Sequence, residues 1–248
     1  MEEGKICYKL ELMLRLIDTT TGIVVDEKDI HFQKDGKTVY AHTKGEGCYI
    51  FIGDCRENGL MQIEVYGFEP KKVWLDYEHL DSILPSMDIF LIPSENRQRG
   101  EALLTLTGTL SGLEAVEALH PGRPITSIRD FDAKKRVMTV LSPNRRMNLE
   151  NLSYGLLNVE QSSFQDIEIV EELTDKKVRL RKPLEAGYSP NAPICRIIYG
   201  QVEEDGSYIL RVRDDGSNLK YLVKYILNGD TRYKLIDFHE LEGVRLDE

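Results

Sequence analysis

The segment from Cys195 to Phe238 constrains the fold more than any other part of the chain. Four stretches in which apolar and polar residues alternate are separated there by three turn signals, Asp205-Gly206, Asp215-Gly216 and Asn228-Gly229. Such pairs favour two-residue hairpin turns, because their central residues adopt positive φ. The segment therefore predicts a four-stranded antiparallel meander, with strands at about Cys195–Val202, Tyr208–Arg213, Leu219–Leu227 and Thr231–Phe238.

The predicted meander places basic residues on one side of the sheet. Successive side chains of a strand point to opposite faces, so residues that alternate with the apolar positions share a face. Six cations occupy that face in the simplest register: Arg211, Arg213, Lys220, Lys224, Arg232 and Lys234. One interpretation is the solvated side of a half-buried sheet. The other is a surface that binds an acidic or mixed partner, either another protein or a second copy of this chain.

Length and charge bound the function classes. A chain of 248 residues exceeds the usual size of one domain, so two domains are expected. The net charge of −10 disfavours binding to nucleic acids or anionic membranes. Residues 1–95 hold 10 basic and 18 acidic residues, so most of the acidity belongs to the N-terminal part. No segment is apolar enough to insert in a membrane. The start of the chain lacks a signal-peptide pattern, which predicts cytoplasmic synthesis, with later release by lysis left open.

The N-terminal part predicts a β-sandwich domain, residues 1–95. Apolar residues alternate over the stretch from Ile6 to Leu16, and the N-terminal part as a whole predicts seven short strands with turns every 8–12 residues. A short helix is predicted at Asp76–Leu84, which would cover one end of the sandwich. Trp74, the only tryptophan, precedes it and is assigned to the core or to this lid rather than to a ligand platform.

A polar linker at about residues 94–101 separates a second β-rich domain, residues 102–248. About ten strands are expected in it, which suggests a barrel or a second sandwich that ends in the meander. Ile125–Phe131 and Arg136–Leu141 predict a hairpin. Glu114–Leu119 is compatible with a short helix or with a strand, and the pattern does not decide between them. The fold class is thus mainly β throughout.

Three motifs in residues 8–93 resemble the transthyretin-like, carboxypeptidase-regulatory-like sandwich modules. They are Ile30-His31-Phe32, the hairpin segment Thr43–Phe51 and the closing segment Tyr66-Gly67-Phe68-Glu69-Pro70. Lys44 departs from the family pattern, which has an aspartate there, and an insert follows Trp74. The resemblance implies an Ig-like sandwich that serves as a non-catalytic accessory or adhesion module.

Motifs for catalysis, metal binding or nucleotide binding are missing from the sequence, and no cofactor is predicted. His31 and His42, with Cys48, are the only local candidates for metal ligands, and Cys48 or Cys55 with His42 is the only candidate nucleophile pair. Free thiols are expected for all the cysteines. The leading hypothesis is a non-enzymatic component of a larger protein assembly, such as a phage-tail-like or contractile-injection particle. The alternatives are a carbohydrate- or peptide-binding module and a hydrolase with a dispersed site.

Overall fold

The computed structural model describes residues 9–27, 29–45, 47–53, 56–94, 102–141, 152–174, 176–185, 188–214, 220–241, 244 and 246. Every regular element in these residues is a β-strand, as the alternating sequence pattern predicts, and the mainly-β fold class is confirmed. The chain divides into two compact units, Met1–Gly100 (unit 1) and Glu101–Glu248 (unit 2).

Unit 1 is a sandwich of two sheets. The first sheet has the order β2-β1-β6-β5, and β9 runs parallel to β1. Its strands are β1 (Leu10–Asp18), β2 (Ile23–Val24), β5 (His42–Gly45), β6 (Cys48–Ile52) and β9 (Ser86–Leu91). The second sheet has the order β4-β3-β7-β8. Its strands are β3 (Ile30–Lys34), β4 (Lys37–Val39), β7 (Gly59–Val65) and β8 (Lys71–Leu75).

The core of unit 1 follows from the period-two pattern. Leu12, Leu14 and Leu16 of β1 are almost fully buried, because alternate residues of the strand face the second sheet. The ring of Phe32, from the second sheet, meets the ring of Phe51 edge to face at 5.1 Å between centroids. This apolar burial supplies the main driving force for the sandwich.

The helix predicted at Asp76–Leu84 is wrong. The segment forms successive turns, because its aspartates accept hydrogen bonds from nearby backbone N–H groups and so compete with helix formation. Asp76 accepts from the N–H of Glu78 at 3.1 Å, and Asp81 accepts from the N–H groups of Ile83 and Leu84 at 2.7 and 3.0 Å. The side chain of Ile83 is 87% exposed, so the predicted apolar face is not buried as a unit.

Unit 2 contains a second sandwich. One sheet has the order β10-β20-β19, with β10 (Ala102–Thr109), β19 (Gln201–Val202) and β20 (Ser207–Asp214). The facing sheet has the order β18-β11-β21-β22, with β11 (Leu113–Leu119), β18 (Ile198–Tyr199), β21 (Lys220–Leu227) and β22 (Asp230–Asp237). The segment left open between helix and strand is therefore strand β11. Side chains of both sheets, among them Leu210 and Val223, form a shared core.

A closed six-stranded antiparallel barrel is inserted between β11 and β18. Its order is β12-β13-β16-β15-β14-β17, and its strands are β12 (Thr126–Asp132), β13 (Val137–Val140), β14 (Leu152–Asn158), β15 (Ser163–Thr174), β16 (Lys177–Leu180) and β17 (Pro193–Arg196). The predicted hairpin around residues 132–135 is confirmed as β12–β13. The chain leaves the sandwich after Leu119 and returns at Ile198, which lies opposite Ala118. The barrel is thus an insertion between two neighbouring strands.

The predicted four-stranded meander is wrong at its middle connection and in its first strand, Cys195–Val202, which is divided among β17, β18 and β19 in three different sheets. β19 pairs with β20, and β21 pairs with β22, as the turn signals indicate. β20, however, pairs with β10 on its other side, and β21 pairs with β11. The segment therefore forms two hairpins in two facing sheets, because β10 and β11 occupy the edges along which β20 and β21 were expected to meet.

Candidate functional site

The six predicted cations do not share one face. Arg211 and Arg213 lie on the side of β20 that points away from the sandwich core, since the alternate residues Leu210 and Val212 are buried in that core. The remaining four belong to the facing sheet. A single six-cation face is therefore wrong, although the idea that individual cations bind a partner stays a prediction.

The four cations of the second sheet are divided between its two faces. Lys224 lies directly opposite Tyr233 in the ladder, and residues directly opposite each other share a face. Arg232 and Lys234 flank Tyr233, so their side chains point to the other face. Lys220, at the start of β21, shares the face of Lys224 and is exposed. Register thus separates residues that the sequence pattern groups together.

Lys224 is the one predicted cation that is buried, with 9% of its surface exposed. It lies where β21 faces the barrel, and its ammonium group contacts two carboxylates. The Lys224 Nζ donates to Glu117 Oε2 at 2.9 Å and to Asp166 Oδ2 at 2.5 Å. The same nitrogen lies 5.4 Å from the centroid of the Phe164 ring, within the range of a cation–π contact. These three residues and Lys224 form what we call the Lys224 cluster.

Electrostatics explain how the Lys224 cluster is held. Burial raises the pKa of Glu117, and the neighbouring Asp166 carboxylate raises it further, while Lys224 opposes both. Burial alone would lower the pKa of Lys224, but the hydrogen bonds and charges of Asp166 and Glu117 outweigh it, and the pKa lies above its ordinary value. Lys224 is therefore charged at neutral pH. The cluster links β11 and β21 to barrel strand β15.

A cleft of about 530 Å³ borders the Lys224 cluster. Tyr233 and Thr231 of β22 form one side, and barrel residues, including Phe164 and Tyr188, form the other. The Tyr233 hydroxyl donates to the carbonyl oxygen of Phe164 at 2.7 Å, and the two rings meet at 5.6 Å between centroids. The cleft therefore has aromatic walls that are fixed by direct contacts, with the ammonium group of Lys224 in its lining.

The outer face of the second sheet of unit 1 carries a pair of exposed apolar side chains. Leu60 of β7 lies directly opposite Trp74 of β8, and their exposed fractions are 40% and 60%. The assignment of Trp74 to the core or to a lid is therefore wrong. Trp74 alternates with the buried Leu75, so the pleat directs its ring away from the core. An exposed indole beside an exposed leucine is unusual, because large apolar groups normally avoid water.

The candidate metal-ligand set of His31, His42 and Cys48 is not assembled. His31 lies on β3 and His42 lies on β5, which belong to different sheets. Across the β5–β6 ladder His42 faces Ile50, whereas Cys48 faces Gly45; Cys55 lies outside the described residues. The described residues contain no group of three or more histidine, cysteine or acidic side chains that could hold a metal ion.

Cys48 and Cys195 are free thiols, as predicted, whereas Cys7 and Cys55 fall outside the described ranges. Burial raises the pKa of Cys195 to about 12, so this thiol is inert as a nucleophile. No helix in the described part of the chain is long and apolar enough to cross a membrane.

Comparison with models of known protein families found no matching family, and comparison with curated proteins found no match. The resemblance of residues 8–93 to the transthyretin-like, carboxypeptidase-regulatory-like modules therefore stays a prediction.

Proposed function

We propose that the protein is a non-enzymatic interaction protein that works as a component of a larger protein assembly. The observation that carries this proposal is the exposed Leu60–Trp74 pair on the outer face of the sheet. Tryptophan is strongly enriched among the residues that dominate binding energy at protein interfaces, because it buries a large apolar area. A partner that covers this pair would remove both side chains from water.

The sandwich architecture of unit 1 agrees with this role. The predicted resemblance is to accessory modules that present a face or an edge to other proteins. A phage-tail-like or contractile-injection particle is the kind of assembly that we favour, by analogy with such modules and not from any feature of the Leu60–Trp74 pair.

Sedimentation tests the proposal. We would express tagged full-length protein in the cells that produce it naturally and fractionate the lysate on a density gradient. The wild type should sediment well ahead of a 28.5 kDa monomer. The Trp74→Ser variant should move to the light fractions. Tyr40→Ser is the matched control, because Tyr40 is 87% exposed but follows β4, at the opposite edge of the same sheet. Wild-type protein found only as free monomer would refute the proposal.

A carbohydrate-binding role is the second candidate, and the exposed Trp74 ring favours it. A flat aromatic ring beside polar residues such as Gln62 and Lys72 can stack on a sugar while those neighbours bond to hydroxyl groups. Because Trp74 is the only tryptophan, its fluorescence reports directly on this site. Titration with a panel of soluble glycans should change the emission in a saturable manner. An unchanged emission across the panel would refute this candidate.

A further inference from the structure

The strand β22 ends its sheet and pairs on one side only. In the order β18-β11-β21-β22, its partner is β21, and among the described residues no other strand pairs with it. Asn228 and Gly229 both have positive φ, 50° and 81°, as a type I′ turn requires. Leu227 and Asp230, which flank such a turn, exchange both hydrogen bonds of a closely spaced pair.

The turn geometry decides which backbone groups point outwards. Counting from the Leu227–Asp230 pair, the hydrogen-bonded positions alternate with positions whose N–H and C=O groups point away from β21. The outward positions on β22 are Thr231, Tyr233 and Leu235. The edge therefore presents a regular row of main-chain donors and acceptors, which is the requirement for adding another strand.

The same edge borders the cleft. Thr231 and Tyr233 line it, and their side chains share the face of β22 that is turned towards the barrel. A strand laid along β22 would direct alternate side chains towards the cleft, since opposed residues of a ladder share a face. Lys224 is paired with two carboxylates, Glu117 and Asp166, so the cleft disfavours acidic side chains at these positions.

The other face of β22 carries cations, Arg232, which is exposed, and the half-buried Lys234. They disfavour pairing of β22 with a second copy of itself. An antiparallel pairing centred on Tyr233 would oppose Arg232 to Lys234, and a pairing centred on Lys234 would oppose that residue to its own copy. Like charges directly opposite each other are destabilising. Arg232, the exposed one, attracts a strand that carries an acidic residue at the opposed position.

We propose that β22 binds an extended segment of another protein by strand addition, with an acidic residue opposite Arg232 and uncharged residues over Tyr233 and the cleft. This inference rests on the proposed function in that it assumes protein partners, but it uses a surface of unit 2 and does not involve Leu60 or Trp74. It names the chemistry of the partner segment, which is an extended strand with an acidic residue opposite Arg232.

Peptide arrays test the inference on the full-length protein. The probes are octapeptides with glutamate at every second position and varied uncharged residues between them, and a sister array has lysine in place of glutamate. The best glutamate peptides, measured again in solution by fluorescence anisotropy, should bind about tenfold or more tightly than their lysine counterparts, since charged contacts discriminate strongly against like-charge partners. Equal binding of both arrays, or binding of neither, overturns the inference.

Substitutions test the main-chain contact and the charge contact separately. Leu235→Pro removes one outward N–H, at a position where the ladder to β21 loses no hydrogen bond, and should abolish peptide binding. Leu235→Thr, which keeps the N–H, is the matched control and should bind as the wild type does. Arg232→Glu leaves the backbone unchanged and should lower affinity for the glutamate peptides by about fivefold, the upper end for an exposed ion pair. This variant should also improve binding of the lysine peptides, and it carries the test alone if Leu235→Pro fails to fold.

The remaining outcomes identify the occupant and separate the two proposals. Sedimentation equilibrium would overturn the inference if it showed a wild-type dimer that Leu235→Pro dissociates. The occupant of the β22 edge would then be a second copy of the chain and not an acidic segment. Trp74→Ser should leave peptide binding unchanged. Loss of particle association in Trp74→Ser with intact peptide binding supports both proposals as separate contacts, whereas peptide binding that also requires Trp74 would refute the assignment to β22.

Discussion

Replacement of Lys224 by methionine tests how the barrel is joined to the sandwich in unit 2. Methionine keeps the length and the apolar contacts of the side chain but removes its charge. Glu117 would then stay in a largely buried position, with 19% of its side chain exposed, beside Asp166 and without a cation. Uncompensated burial of a carboxylate is the dominant cost, because nothing else in the Lys224 cluster offsets its lost hydration.

The magnitude follows from the exposure of the two carboxylates. Breaking a fully buried ion pair costs about 3–5 kcal/mol. Asp166 keeps 43% of its side chain exposed and so retains much of its hydration, which places the expected loss of unfolding free energy at about 2–3 kcal/mol. In a unit of this size, Glu101–Glu248, that loss lowers the melting temperature by roughly 5–10 °C.

The pH dependence gives the prediction its sharpest form. The pKa of Glu117 is already raised by burial, and loss of Lys224 raises it further. A carboxyl group whose folded-state pKa lies above its unfolded-state value takes up a proton first in the folded protein, so its contribution to stability improves as the pH falls. The deficit of Lys224→Met relative to wild type should therefore shrink between pH 7 and pH 5.

Urea unfolding followed by far-ultraviolet circular dichroism measures the deficit, while the fluorescence of Trp74 reports on unit 1 as an internal reference. Lys220→Met is the matched control, because Lys220 is exposed at the start of the same strand, and exposed changes usually stay within about 0.5 kcal/mol. The double variant Lys224→Met with Glu117→Gln should recover part of the loss. A deficit below about 0.5 kcal/mol at pH 7, or one equal at both pH values, would refute the reasoning.

Three further predictions concern single sites. Gly229→Val should destabilise unit 2 by about 1–2 kcal/mol in urea unfolding, because φ is 81° there although a side chain would meet no neighbour; Gly229→Asn, which tolerates this backbone, should lose less, and equal losses would contradict the turn assignment. Gly155→Ala should lower the free energy of unfolding by about 1–3 kcal/mol in the same assay, because the added Cβ would lie 2.5 Å from Leu119 Cδ2. An unchanged stability would mean that the barrel does not pack on β11 in this way. Cys195 is 1% exposed and should react with iodoacetamide, followed by peptide mass spectrometry, only after denaturation; labelling in the native protein would show that the barrel opens.

Local sequence signals predicted the strands of this protein well, and for a physical reason. Alternation and turn residues act within a few positions, so the described part of the Ile6–Leu16 pattern and the Asn228-Gly229 turn correctly indicated β1 and the β21–β22 hairpin, while residues 6–8 lie outside the described residues. The helix prediction at Asp76–Leu84 failed because aspartates that favour the start of a helix also favour isolated turns, and residue spacing alone does not distinguish the two structures. The assignment of Trp74 to the core or to a lid failed because a strand pattern shows which residues share a face but not which face is buried.

Pairing between distant strands could not be predicted from the same signals. The edge of β20 that was expected to pair with β21 is taken by β10, and the matching edge of β21 by β11, each about a hundred residues earlier in the sequence. The barrel lies between these partners in the chain, so neighbouring residues give no signal of either strand pairing. A strand that pairs with a distant neighbour shows the same alternation as one in a meander. Part of the error in the basic face follows directly, because Arg211 and Arg213 were grouped with the other cations by assuming β20 beside β21. The rest is an error of register, which places Arg232 and Lys234 on the opposite face from Lys224.

Lys224 shows why a site of this kind is invisible in the sequence but informative in the structure. It occupies the same alternating position as the exposed Lys220, so its pattern is that of a solvated lysine. The two lysines differ in their contacts with the barrel, because Asp166 and Phe164 of the barrel contact Lys224 in the middle of β21. The inserted barrel thus buries a lysine that the sequence pattern places at the surface. It also forms one side of the cleft beside β22. If the acidic segment binds at β22, it lies against the Lys224 cluster. Lys224→Met should then weaken peptide binding through the cleft wall even at pH 5, where its effect on stability is smallest, whereas Lys220→Met should not.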